Sequence, residues 1–295
     1  VIDFISWCQK QKLTGYGTRQ FKLPNDETYS VIFCEAQKHS VPRPNNSVLF
    51  LHGTGNDAWF PQAYLIDRMT AAGLNFFSIQ LPGHGQYDSS VLEFERLGSF
   101  VLNAVQQIRQ EFGINKFILA GQSLGAVAIA QTITKTQSIQ GLLGAALITM
   151  PLNPQVGLRS AIPELLLPFF KGFWRLTKYF GIVDSVPAFG PFRRREFPVR
   201  LPPKSQHTSY IHHICTEISR VDWASQLQQA KLPLLAVYAQ LDLIAPASEA
   251  EHLKRVIPRI NIEVINSENH FSIMGSEQLC TAIIQWLNRI ENNDV

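Results

Sequence analysis

Uninterrupted apolar, β-rich runs alternate with helical patterns along most of this chain, and few folds accept that alternation. SVIFCEA (30–36), SVLFLHG (47–53), NFFSIQLPG (75–83), KFILAGQS (116–123), LLGAALITM (142–150), PLLAVYAQLD (233–242) and NIEVINS (261–267) read as strands. Helical patterns lie near 61–72, before Phe112, at LGAVAIAQTITK (124–135), near 247–256 and near 276–290. A strand that is apolar throughout, rather than at every second residue, has both faces covered. Strand–helix alternation at this spacing predicts an α/β fold with a mostly parallel, doubly wound sheet.

Composition agrees with a globular domain. Of 295 residues, 45% are hydrophobic and 17% charged, and the net charge of +3 is too small for a disordered chain of this apolar content. No apolar run reaches the roughly 18 residues that a membrane-spanning helix needs. Cys8, Cys34, Cys215 and Cys280 are scattered and form no CxxC pair, so neither a zinc site nor a dense disulfide framework is indicated. Scattered thiols suit a reducing, cytoplasmic setting. The first residue is Val1, which leaves a cleaved signal peptide open.

The alternation breaks between 151 and 220. That stretch holds ten Lys/Arg against four Asp/Glu, whereas the remainder holds sixteen against nineteen. Nine of the 31 aromatics fall in residues 169–197. Phe169, Phe170, Phe173, Leu176 and Phe180 follow helical spacing, with Lys171, Arg175 and Lys178 on another face. We read three parts: an N-terminal extension (1–19), an α/β core (20–150 and 221–295), and a cap or lid insertion (151–220). The extension opens on VIDFISWCQKQK, which has the pattern of a short helix.

GQSLG (121–125) is a G-x-S-x-G match that follows an apolar strand and opens a small-residue helix. A sharp strand-to-helix turn would leave Ser123 exposed above the sheet edge, with Gly121 and Gly125 allowing the close approach. A plain glycine turn with a surface serine is the bland alternative. A serine nucleophile needs a base and an acid that orients it, here in the chain order Ser, acid, His. His270, in SENHFSI after the last strand, is placed to be the base. Asp242 ends the strand PLLAVYAQLD, at the carboxyl edge where ligands of open α/β sheets bind. Asp222 is the runner-up acid, but no strand precedes it. His52 and His84 precede Ser123 and are read as loop-shaping. His207, His212 and His213 lack the carboxylate or cysteine spacing of a metal site, and His252 is read as solvated. Oxyanion donors are expected from the backbone N–H of Leu124, directly after the nucleophile, and of Thr54 in LHGTG.

With these residues in place, the chain resembles the α/β-hydrolase superfamily in its single-domain form, with a cap inserted after the sixth core strand. LHGTG (51–55), LPGHG (81–85), GQSLG (121–125), YAQLD with the trailing Pro246, and NHF (269–271) carry the likeness. Monoglyceride lipase and lysophospholipase-like serine hydrolases are the nearest in flavour. Two positions depart from it: Ala239 and Asn269 stand where many relatives have Gly. The resemblance implies a serine esterase that uses Ser123, Asp242 and His270 on an apolar acyl ester, with no cofactor and no metal. Trp59, Phe169, Phe173 and Trp174 are expected at the substrate. No nucleic acid partner is expected. The basic face of the cap helix suggests an anionic group on the substrate, or peripheral contact with anionic lipid. Thioesterase, acyltransferase, carbon–carbon hydrolase and peptidase chemistry stay open on the same triad, as does a non-catalytic binding member of the fold.

Overall fold

The computed structural model describes residues 4–23, 27–37, 46–54, 56–59, 62–84, 93–136, 138–154 and 207–292, the last from 213 onward with its side chains. Eight strands form one sheet in the order β1-β2-β4-β3-β5-β6-β7-β8. They are β1 (Tyr16–Lys22), β2 (Thr28–Cys34), β3 (Asn46–Leu51), β4 (Asn75–Ile79), β5 (Lys116–Gln122), β6 (Leu142–Ile148), β7 (Leu234–Ala239) and β8 (Asn261–Ile265). β2 runs antiparallel to both β1 and β4, and β3 to β8 pair in parallel.

Helices cover both faces, which is why the central strands are apolar throughout. Those described are α1 (Phe4–Lys10), α2 (Ala63–Ala71), α3 (Leu97–Phe112), α4 (Leu124–Lys135), α5 (His207–Ser219), α6 (Trp223–Gln228), α7 (Ser248–Val256) and α8 (Glu277–Glu291). Successive strand residues enter opposite cores. Phe117 and Leu119 of β5, with Leu234, Ala236 and Tyr238 of β7, pack under α3, α4, α6 and α7. Ile118 and Ala120, with Leu235, Val237 and Ala239, pack under α1, α2 and α8.

The crossovers set the position of a site. From β3 the chain passes through α2 to β4 on one side, then through α3 back across to β5 on the other. The loops leaving β3 and β5 therefore diverge, and a crevice opens between their carboxyl ends. Leu51 pairs with Gly121 in the register of these two strands, so the two loops start side by side.

Two differences from the sequence reading have physical causes. β1 begins at Tyr16, inside the expected N-terminal extension. YGTRQFK carries little apolar signal because β1 is an edge strand with an open face, and Arg19 forms a surface ion pair with Glu111. Within the expected insertion, residues 207–219 form α5, and its Ile214 and Ile218 are buried in the core beneath α4 and α6. The Ser219 hydroxyl donates to the Pro154 carbonyl, so the chain returns beside the point where it left the sheet. Residues 155–206 lie outside the described residues. With them lie Phe169, Phe173, Trp174 and the basic face of Lys171, Arg175 and Lys178.

Candidate active site

Ser123 sits between β5 and α4 with φ 54° and ψ −115°, a backbone conformation that non-glycine residues avoid. Its N–H donates to the Ile148 carbonyl and its carbonyl accepts from Val127, so both ends of the turn are held while the strain stays at one residue. The flanking glycines are steric requirements. A Cβ on Gly125 would lie 2.2 Å from the Leu51 carbonyl oxygen, and one on Gly121 would lie 2.6 Å from the Gly125 carbonyl carbon. α4 thus rests directly on the sheet, and its residues from Leu124 to Ile133 are buried.

His270 lies in the loop after β8, and its Nδ1 is 2.8 Å from Oδ2 of Asp242. Both are buried. The other Asp242 oxygen, Oδ1, accepts the backbone N–H groups of Ile244 (2.8 Å) and Ala245 (2.9 Å). Both carboxylate oxygens therefore have hydrogen-bond partners. Asn269, one of the departures from the family pattern, supports this loop. Its Oδ1 accepts from the Phe271 and Ser272 N–H groups, and the Ser272 hydroxyl accepts from its own N–H. Here an asparagine side chain folds the turn that a glycine would otherwise permit.

Gln122 ties the pieces together, a role that the variable position of a G-x-S-x-G motif does not reveal. Its Nε2 donates to the His270 carbonyl at 3.0 Å, and its Oε1 accepts from Asn56 Nδ2 at 3.3 Å. A Cβ on Gly53 would lie 2.3 Å from that Oε1 and 3.2 Å from the Ser123 Cβ. The histidine loop and the loop after β3 are thus both fastened to the residue next to Ser123.

The loop after β3 is shaped by a histidine whose tautomer follows from its partners. His52 Nε2 faces the Leu81 backbone N–H (3.0 Å) and Gln80 Nε2 (3.1 Å), so it accepts. Its Nδ1 lies 2.9 Å from the Gly53 carbonyl, so it carries the proton and donates. Burial, then the neighbouring His84, holds His52 down to about 3, against the opposing pull of the Gly53 carbonyl, and the ring stays neutral. The Gly53 carbonyl also accepts from Asn56 N–H. In a trans peptide the N–H points away from the carbonyl, so the same contacts aim the Thr54 N–H the opposite way. Leu124 opens α4, where the first N–H groups of a helix have no partner inside it.

The other sequence candidates have partners of their own. Asp222 is an exposed N-cap of α6. Its carboxylate accepts from the Ser225 hydroxyl and N–H, which hold its pKa below the ordinary value. Trp59 is half-buried, with its ring against Trp7 (4.9 Å between centroids) and Phe4 (5.4 Å) of α1. His84 is buried beside His52. His213 and His252 are exposed. Among the described residues, no three His, Cys, Asp or Glu side chains are placed to hold a metal ion. No described helix is long and apolar enough to cross a membrane.

Glu249, on α7, went unnoticed in the sequence. Its two oxygens accept the N–H groups of Leu152 (3.0 Å) and Asn153 (3.1 Å), which clamps the segment leaving β6 to the first turn of α7. Burial raises its pKa above the ordinary 4.5. For a raised group, the stability contributed is complete below the unfolded-state value and is lost as pH rises through the folded-state value. Glu249→Gln removes the charge but keeps an oxygen for only one of the two N–H groups and turns its NH₂ on the other. Its Tm deficit against the wild type should be smaller at pH 7 than at pH 4. Glu249→Ala leaves both N–H groups without this partner and should cost at least about 1 kcal/mol, again more at pH 4 than at pH 7. Thermal melts at the two pH values check both.

Residues 48–278 match the model of the alpha/beta hydrolase family, and the chain belongs to that family. Solved structures share its fold across nearly the whole length. An esterase of Pyrococcus furiosus superposes with a TM-score of 0.61 at 13% identity, covering 96% of this chain and 95% of that one. A thermophilic esterase from Thermogutta terrifontis gives 0.63 at 18%, covering 94% and 99%. E-2-(acetamidomethylene)succinate hydrolase gives 0.63 at 16%, covering 93% and 100%. No curated protein matches the chain in sequence.

Proposed function

We propose that this hydrolase cleaves a carboxylic ester with an apolar acyl part, through an acyl-enzyme formed on Ser123. The observation that carries the reading is the strained Ser123 turn, fastened through Gln122 to a buried Asp242–His270 pair. Ser123 Oγ attacks the ester carbonyl as His270 Nε2 takes its proton. The Leu124 and Thr54 N–H groups receive the developing oxyanion. The imidazolium, held by Asp242 at Nδ1, then protonates the leaving alkoxide, and the alcohol departs. Water enters, gives its proton to His270 and attacks the acyl carbonyl, and Ser123 leaves with the proton restored. The esterases among the structural neighbours support the ester reading.

The apolar preference rests on exposed apolar side chains next to Asp242 and His270 in the chain. Leu241 (59% exposed), Leu243 (84%) and Phe271 (44%) flank Asp242 and His270 in sequence and remain open. Large apolar side chains this exposed around a polar centre are a surface waiting for contact. Peripheral contact with anionic lipid through Lys171, Arg175 and Lys178 belongs to the same proposal, and salt-dependent vesicle binding tests it.

A fluorophosphonate probe should label the wild-type protein at Ser123. A panel of p-nitrophenyl esters from acetyl to palmitoyl should give a kcat/KM that rises with chain length beyond acetyl. No labelling of Ser123, or turnover of thioesters and amides alone, would overturn the ester reading.

A further inference from the structure

One side-chain amide holds both ends of the loop after β3. Gln80 directly follows β4 and is buried (5% exposed), and its own N–H donates to the Ser30 carbonyl of β2. Its Oε1 accepts the Ala58 N–H at 3.0 Å, and its Nε2 lies 3.1 Å from His52 Nε2. The loop leaves the sheet at His52, carries Thr54, and comes back to the amide at Ala58.

That amide fits in one orientation. A backbone N–H only donates, so Ala58 demands the oxygen and the nitrogen turns to His52. The Leu81 N–H, 3.0 Å from the same ring nitrogen, demands that His52 Nε2 accept. Two backbone donors therefore fix the amide and the ring separately, and the two results agree. With Nε2 accepting, the ring proton sits on Nδ1 and goes to the Gly53 carbonyl at 2.9 Å. That carbonyl and the Thr54 N–H belong to one peptide unit, so a fixed oxygen fixes the donor on the other side.

We propose that Gln80 is a positioning residue for the oxyanion donor Thr54, an inference that rests on the ester-cleaving reading above.

The far end of the loop is braced as well. Trp59 N–H donates to Asp57 Oδ1 (2.8 Å), and Gln62 Nε2 donates to the Asp57 carbonyl (2.9 Å). The Trp59 ring packs on Trp7 and Phe4 of α1. Ala58 is thus held by Gln80 from within and by its neighbour's ring from without. The ring of His52 stays neutral because it is buried, then because His84 lies beside it, so the accepting Nε2 persists. Oxyanion donors stabilise a transition state only as far as they are aimed before the charge develops. Gln80 meets this need without touching substrate, through His52 and Gly53. Had Gln80 only satisfied buried neighbours, its loss would cost stability and leave turnover of the folded protein unchanged.

The test uses the full chain with Gln80→Leu and Gln80→Met, made separately so that one folded variant suffices. Both substitutions remove the bonds to Ala58 and His52. On the best ester, kcat should fall about tenfold with KM within about twofold, short of the roughly 10²–10³ lost with an oxyanion donor itself. An alkyl trifluoromethyl ketone is the second probe. Ser123 Oγ adds to its carbonyl as His270 takes the hydroxyl proton, and the new alkoxide lies where the oxyanion forms. Its affinity should weaken by the same factor as kcat. NMR of protein labelled with ¹⁵N-histidine gives a third readout, in which the His52 Nδ1–H should exchange with solvent several-fold faster in the variants. A folded variant with wild-type kcat and ketone affinity would overturn the proposal. So would a rise in KM alone, or a loss of kcat with ketone affinity or Nδ1–H exchange unchanged. A wild-type protein that turns over no ester would sink the ester reading instead, and the Nδ1–H exchange would still decide whether Gln80 holds this loop.

Discussion

Ser123→Ala should lower kcat by at least about 10³ on the best ester while the protein stays folded, since only binding and oxyanion stabilisation remain. The hydroxyl is removed from a turn whose backbone is held by Ile148 and Val127, so the elbow should persist. Alanine keeps a Cβ and therefore keeps the strain at φ 54°. Ser123→Gly separates strain from chemistry. Glycine adopts positive φ freely and relieves roughly 1–3 kcal/mol of local strain, offset in part by its greater unfolded-state freedom. Ser123→Gly should therefore melt at or above the Tm of Ser123→Ala, with both inactive. Steady-state kinetics and melts on the pair check this. A folded Ser123→Ala enzyme with near-normal turnover would remove Ser123 from the mechanism. A Ser123→Gly protein that melts well below Ser123→Ala would show the turn to be unstrained.

Much of this was legible because the relevant signals are local. LGAVAIAQTITK reads as a helix from 124 to 135, and α4 spans those residues, because small side chains along its length let it lie flat on the sheet. That β5 ends just before Ser123 and β7 three residues before Asp242 follows from the same continuous apolar runs. What escaped the sequence is long-range or polar. β1 has an open face and carries no apolar run. α5 and α6 follow directly on a stretch without the core's strand–helix alternation, and α6 has only six residues in which to show a period. Gln122, Gln80, Asn56 and Glu249 act through partners brought near only by the sheet, and no spacing rule names them. Asp222 shows the opposite failure. An aspartate before a helix has one sequence signature whether it caps the helix or orients a base. The two differ in their surroundings: Asp222 caps α6 at the surface, and Asp242 is buried in the loop that leaves β7.

Asp242→Asn should lower kcat on the order of 10⁴, the magnitude seen when an orienting carboxylate of a serine triad becomes an amide. The site determines which way that amide turns. Two backbone N–H groups, of Ile244 and Ala245, point at Oδ1 and demand an oxygen there. The NH₂ of the asparagine must then take the place of Oδ2 and face His270 Nδ1. A donor facing Nδ1 forces the neutral ring to carry its proton on Nε2, the atom that must accept the proton of Ser123. Asn also keeps the bonds to Ile244 and Ala245, so stability should change far less than activity. The loss should appear in kcat rather than KM, since the triad does not grip the substrate in its ground state. Asp222→Asn should leave kcat within a few-fold, because asparagine caps a helix about as well as aspartate. Kinetics on the two variants side by side decide the matter. Equal losses, or a larger loss at Asp222, would mean that the buried Asp242–His270 pair does not power the reaction.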